Sequence, residues 1–112
     1  MRPQVFLATL VVLVAANISV ADFWTTPVPL TEVNSSSAEE WSPFPSYDGL
    51  TLYFARVLSP ESYYGKIFQA KRDSPSGPFT VVEKVPGPLN NQAGHVLCEW
   101  VSPDNLRMYY HN

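Results

Sequence analysis

The chain has 112 residues, seven basic against ten acidic side chains for a formal net charge of −3, and 46% hydrophobic residues. That length holds one small folded domain at most, and the surplus of acid argues against a nucleic-acid partner, which needs basic groups to neutralise phosphates. A single cysteine, Cys98, excludes an intramolecular disulfide, so the fold must draw its stability from packing.

Residues 1–4 carry one basic side chain, Arg2, and residues 5–16 then run apolar except for Thr9. A basic start followed by a short apolar run is the pattern of an export signal, and the run is too short to span a bilayer as a helix. The small residues Ser19 and Ala21 stand three and one before a cut ahead of Asp22, so residues 1–21 read as a signal peptide. A cut after Ala16 and a retained anchor are the alternatives. Cleavage before Asp22 removes Arg2 and leaves six basic and ten acidic side chains, net −4. The expected location is periplasmic or extracellular, with no stable membrane span after cleavage.

Eleven prolines, six tyrosines and six phenylalanines, with β-branched residues in short runs, predict strands separated by turns and no helix. Residues 22–37 form an extended lead-in, because Pro27, Pro29 and the serines at 35–37 deny it regular pairing. Strands over 41–47 and 50–56 meet at Asp48-Gly49, which predicts a two-residue type I′ turn with positive φ at both positions. In the second strand Leu50, Leu52 and Phe54 share one face, and Thr51, Tyr53 and Ala55 share the other. Pro43 and Pro45 cannot donate to a ladder, so the first strand is irregular or turns those positions to an unpaired side. Residues 66–72 give a third strand, the turn at 74–78 leads into a fourth over 79–85, and Pro86-Gly87-Pro88 closes the unit. A further strand begins over 95–101. The fold class is therefore all-β, with a four-stranded antiparallel meander.

Residues 34–56 (NSSSAEEWSPFPSYDGLTLYFAR) align without a gap on residues 90–112 (NNQAGHVLCEWVSPDNLRMYYHN) at an offset of 56. Asn34/Asn90, Ser46/Ser102, Asp48/Asp104, Leu50/Leu106 and Tyr53/Tyr109 are identical. Phe44/Trp100, Gly49/Asn105, Leu52/Met108 and Phe54/Tyr110 keep their physical role. Asn is the residue other than Gly that best tolerates positive φ, so Asp104-Asn105 can repeat the turn of Asp48-Gly49. The apolar face recurs as Leu106, Met108 and Tyr110, and Phe44 and Trp100 are expected in the core. A four-stranded unit repeating at this spacing is the pattern of a propeller blade.

These Ser-x-Asp-Gly/Asn-Leu segments, with Ser102-Pro103-Asp104 among them, resemble the Ser-Pro-Asp-Gly…Leu-Tyr-Phe core of TolB-type WD-like β-propeller repeats. Residues 66–72 (KIFQAKR) resemble the third strand that follows it. The resemblance covers residues 34–112 and implies a first blade over 38–89 and the start of a second over 90–112. Since a propeller needs about four blades or more, about one and a half blades imply an incomplete propeller: a fragment, a truncated reading frame, or a chain that associates with copies of itself through exposed blade edges. The resemblance also implies a periplasmic or cell-surface module that binds protein or carbohydrate and points to bacteria. Asn34-Ser35-Ser36 fits the N-glycosylation pattern, which matters only in a eukaryotic secretory pathway.

Glu39, Glu40, Asp48, Glu99 and Asp104 are the carboxylates that a propeller-borne hydrolase, glycosidase or peptidase, could use as acid and base. Asp48 and Asp104 read more simply as turn residues, and Glu39-Glu40 as a solvated approach to a strand, so no catalytic residue is assigned. His95 and His111 fall in no metal-ligand spacing and read as surface or strand-edge residues. Neither a Gly-x-Ser-x-Gly nucleophile nor a glycine-rich phosphate loop is present, and no cofactor is indicated. Trp24, Trp41, Trp100, Tyr63 and Tyr64 are candidates for a sugar- or protein-binding surface, with Tyr63-Tyr64 on an exposed loop. Cys98, flanked by Val96, Leu97 and Val101, reads as a buried and inert thiol.

Overall fold

The computed structural model describes residues 25–58 and 63–112. The signal-peptide reading, the cut before Asp22, and Trp24 lie outside the described residues. Among the described residues, six strands form two antiparallel sheets: β1 (Glu39–Pro45), β2 (Thr51–Val57), β3 (Gly65–Lys71) and β4 (Val81–Lys84) in the order β1-β2-β3-β4, and β5 (Leu97–Val101) with β6 (Met108–His111). The first sheet is the expected four-stranded meander.

Alternation along β2 and β3 gives the first sheet two apolar faces. Leu52 lies across from Ala70 and Phe54 across from Phe68 on one face, while Tyr53 opposes Gln69 and Ala55 opposes Ile67 on the other. The first face buries Phe54, Phe68 and Ala70 with Val33 and Phe79, and Leu52, Leu58 and Val82 pack around them. The second face is covered by the smaller sheet. Ile67, Val96, Cys98 and Val101 are buried together, flanked by Phe44, Tyr53, Val85, Leu89 and Met108. The two sheets therefore stack face to face, which buries apolar surface that neither could bury alone.

The lead-in is more structured than proline content alone suggests. The amides of Val33 and Asn34 both donate to the Leu30 carbonyl, at 3.0 and 2.9 Å, closing a turn that seats Val33 in the first core. Arg56 fastens it: Nη2 donates to the Val33 carbonyl at 2.6 Å and Nε to Glu40 Oε1 at 2.9 Å, with its guanidinium over the Phe54 and Phe68 rings. Glu40 accordingly sits inside β1 in a largely buried ion pair, and neither it nor Glu39 lies on an approach to the strand.

The offset of 56 recurs in the geometry. Trp41 pairs with Ala55, Phe44 with Tyr53 and Pro45 with Leu52 in the first sheet; Leu97 pairs with His111, Trp100 with Tyr109 and Val101 with Met108 in the second. Each residue of the second set is 56 beyond its counterpart. Both hairpins break register just before the Phe44/Trp100 position, between Trp41 and Phe44 and between Cys98 and Trp100. In β1 the irregularity contains Ser42, at φ 51, and Pro43. A proline that cannot donate is thus accommodated in a bulge on an edge strand.

The turns match bond for bond, and they are larger than the two-residue type I′ turn expected. The Gly49 amide donates to the Ser46 carbonyl at 2.9 Å and the Ser46 amide to the Thr51 carbonyl at 2.8 Å; Asn105 to Ser102 and Ser102 to Arg107 repeat these bonds at 2.9 and 2.8 Å. Four residues thus span each turn, and only the fourth of the Ser-x-Asp-Gly/Asn motif is left-handed, Gly49 at φ 72 and Asn105 at φ 58. The serine and aspartate explain the difference. Ser46 Oγ donates to Asp48 Oδ1 at 2.6 Å and accepts from the Thr51 amide at 2.9 Å, while the Leu50 amide donates to the same carboxylate oxygen at 3.0 Å. Ser102, Asp104, Arg107 and Leu106 form the same relay. An aspartate that caps the turn's amides stabilises a wider turn, with one left-handed residue in place of two.

Among the described residues a short helix interrupts the all-strand expectation, a 3₁₀ turn at Pro88–Asn91 between the sheets. It delivers Asn90, 6% exposed, against β3. Asn90 Oδ1 accepts from the Ile67 amide at 2.9 Å, and Nδ2 donates to the Ile67 and Val85 carbonyls at 3.0 and 2.9 Å. The side-chain amide imitates a strand partner and joins the connection between the sheets to the middle of the first one.

The expected core at Trp100 and the recurring face at Leu106 need correction. Trp100 is half-buried beside Tyr109, ring centroids 5.5 Å apart, and Leu106 is 81% exposed. Leu106 precedes β6 in the turn, where strand alternation does not govern direction. Phe44 does pack against the second core.

Candidate functional site

Four of the five carboxylates, Glu40, Glu99, Asp48 and Asp104, are engaged by neighbours of their own, and Glu39 is exposed. Glu40 is held by Arg56, and Glu99 lies 2.6 Å from His111 Nδ1 on the exposed second hairpin. Asp48 and Asp104 cap their turns, and Asn105 Nδ2 donates to Asp48 Oδ2 at 3.0 Å, tying the two turns together. The Ser46 hydroxyl, then the Leu50 amide and Asn105, hold the Asp48 carboxyl below its ordinary 3.8. Ser102 and the Leu106 amide do the same for Asp104. These are the environments of structural carboxylates. No group of three or more metal-ligating side chains occurs among the described residues.

The depressed carboxyls have a consequence for stability. Because the folded-state values lie below the unfolded ones, the unfolded chain takes up protons first as pH falls. The turns contribute fully at neutral pH, and the contribution is lost below about pH 4 as pH falls through the folded values. Glu83, drawn down by Gln69 and then Lys71 on β3, acts in the same direction. Thermal unfolding followed by circular dichroism should give a constant Tm from pH 7 to 5 and a decline below pH 4, less steep in a Ser46→Ala/Ser102→Ala double variant.

Cys98 is buried in the second core. Desolvation, opposed by a backbone hydrogen bond at Trp100, pushes its thiol from 9.0 up to about 11. That rise leaves about a hundredfold less thiolate near pH 8. Alkylation by iodoacetamide at pH 8 should accordingly be at least a hundredfold slower in the native protein than in urea; comparable rates would place the thiol outside the core.

An open cleft of about 680 Å³ lies where β1 and β3 begin, and its lining includes Ser36, Ser37, Glu39, Trp41, Tyr63 and His95. Its wall is built by a close approach. A Cβ on Gly65 would come within 2.8 Å of Trp41 Cζ2, so glycine at the start of β3 lets the indole lie against the backbone. The Gly65 amide donates to His95 Nδ1 at 3.0 Å, which assigns the neutral imidazole as its Nε2–H tautomer. Trp41 and Tyr64 meet the imidazole edge to face, each at 5.3 Å between centroids. Tyr63, 84% exposed, stands at the rim.

The structure thus brings together Trp41, Tyr63 and Tyr64 from the aromatic set and places Trp100 elsewhere, on the second hairpin. His95, though exposed, is more than a surface residue: it joins the segment leading into β5 to the first residue of β3. Local sequence carries no sign of this, since the contact spans 30 positions. The only signal available is the lone glycine ahead of the 66–72 strand, which marks a close backbone approach. A second, smaller cleft of about 210 Å³ lies on the other side of Trp41, lined by Leu30, Val33, Pro43, Leu52 and Phe54 among others. Comparison of the chain with protein-family models, with curated proteins and with solved structures finds no match.

Proposed function

We propose that this chain is an exported, non-catalytic binding module made of successive stacked β-sheet units of the WD-like propeller type, of which the described residues hold one four-stranded unit and the first hairpin of the next. The observation that supports this reading most is the recurrence, 56 residues apart, of the same strand register, the same irregularity and the same serine–aspartate turn, in two sheets packed face to face. Stacked units of this kind offer a rigid surface to a partner. Engagement of four of the five carboxylates by turn amides, Arg56 and His111 favours binding over acid–base chemistry.

Expression of the full chain in a bacterial host tests the reading. The protein should be recovered outside the cytoplasm with Asp22 as its first residue by mass spectrometry, and it should not turn over chromogenic glycosides or peptide anilides. Unprocessed chain confined to the cytoplasm overturns the export assignment. Turnover abolished by Glu39→Gln overturns the non-catalytic one.

A further inference from the structure

We infer that the cleft at Trp41 and Tyr63 is a binding site for a neutral oligosaccharide, an assignment that rests on the binding-module reading and names its ligand class. A pyranose presents C–H groups on its faces and hydroxyls around its edge, so its site must offer aromatic surface and a ring of hydrogen-bonding groups together. This cleft does so. Tyr63 is exposed at the rim and Trp41 forms the wall, giving broad contact area with only two side-chain torsions to fix in each. Ser36 and Ser37 supply hydroxyls, Glu39 supplies an acceptor, and His95 supplies a ring N–H because its other nitrogen is occupied by the Gly65 amide.

The volume, about 680 Å³, falls within the range of small-ligand sites. Charge selects among sugars. Among the described residues the lining contains Glu39 and no lysine or arginine, so a uronic-acid or sulfated chain would meet repulsion there with no compensating cation. The neighbouring cleft gives a contrast within one molecule: Asn34 and the Arg56-paired Glu40 apart, it is walled by apolar groups such as Leu30, Val33, Leu52 and Phe54, a surface suited to an aliphatic side chain. The Trp41–Tyr63 cleft shares only Trp41 with it. Pre-organisation strengthens the case, because Gly65 and His95 fix the indole before any ligand arrives, which reduces the ordering cost of binding.

The exported protein, processed at Asp22, is titrated calorimetrically with cellohexaose, xylohexaose and chitohexaose, and with oligogalacturonate as the anionic comparison. At least one neutral hexasaccharide should bind with a Kd of about 1 mM or tighter, and oligogalacturonate should bind at least about tenfold more weakly. Tyr63→Ala should weaken binding about tenfold or more; this side chain is exposed, so its loss leaves the fold intact. Trp41→Phe should weaken binding and Trp100→Phe should leave it unchanged. Absence of heat with all three neutral sugars, affinity indifferent to Tyr63, or preference for oligogalacturonate overturns the assignment. A correctly exported and processed protein that ignores all these sugars removes the saccharide site alone, whereas failure of export removes the module reading.

Discussion

Ile67→Ala should lower the free energy of unfolding by about 2–5 kcal/mol, a large share of the roughly 5–15 kcal/mol that holds an ordinary small domain together. Ile67 is fully buried in the middle of β3, on the face that meets the second sheet, among Val96, Cys98 and Val101. Truncation removes three carbons from a layer whose walls are two hydrogen-bonded sheets. β3 is held on both sides, by β2 and by β4, so the backbone has little freedom to close the void, and poor relaxation is what places a substitution toward the upper end of the range. Urea denaturation followed by tryptophan fluorescence measures the loss. Val81→Ala is the comparison, since Val81 is 43% exposed on edge strand β4 and should cost less than about 1 kcal/mol. Equal costs for the two variants would mean that the smaller sheet does not cover this face in solution.

Strand alternation made most of the first sheet legible. Leu52 and Phe54 on one side and Tyr53 and Ala55 on the other are read directly from a period of two, and the sheet places them so. Pro43 announced an irregular edge strand, because a residue without an amide proton has few places in a ladder. The turns were legible in position and illegible in size. Asp-Gly suggests a two-residue connection, yet the hydroxyl two residues before each aspartate joins it in capping a wider turn, and in the first hairpin that hydroxyl belongs to Ser46, a residue expected within the 41–47 strand. Glu40 escaped for a similar reason: its partner Arg56 is 16 positions away, and nothing local distinguishes a paired glutamate from a solvated one.

The cleft was legible only as a list of aromatics. Trp41 and Tyr63 could be named as candidates, but their joining with His95 depends on Gly65 yielding space to the indole and an amide to the imidazole. These are contacts between segments far apart in sequence, and they exist only once β3 and the approach to β5 lie side by side. Trp100, at a repeat position with Phe44, shows the opposite limit. Equivalent register does not guarantee equivalent burial, because Phe44 lies against the second sheet while Trp100 faces its neighbour Tyr109 near solvent.

The repeat makes a sharper test possible at Asn34 and Asn90, which are identical and 56 residues apart yet differ in surroundings. Asn90→Ala should cost about 2–4 kcal/mol, and Asn34→Ala no more than about 0.5 kcal/mol. Asn90 makes three hydrogen bonds to the backbone at Ile67 and Val85. Alanine leaves the buried Ile67 amide without its acceptor, and an orphaned buried donor costs about 1–3 kcal/mol by itself. The Ile67 carbonyl keeps the Val85 amide at 2.9 Å, which bounds the loss from above. Asn90→Asp should be worse than Asn90→Ala, because a carboxylate of the same shape would turn an acceptor oxygen toward two carbonyls that now receive protons. Asn34 is exposed, and no preceding sheet lies beneath it among the described residues. The two positions therefore separate what the repeat encodes from what stacking adds: the same residue stabilises strongly only where a β3 backbone is within reach. Urea midpoints for the three variants decide it, and an Asn34→Ala loss as large as that of Asn90→Ala would show that the amide acts within its own connection and not as a clamp between sheets.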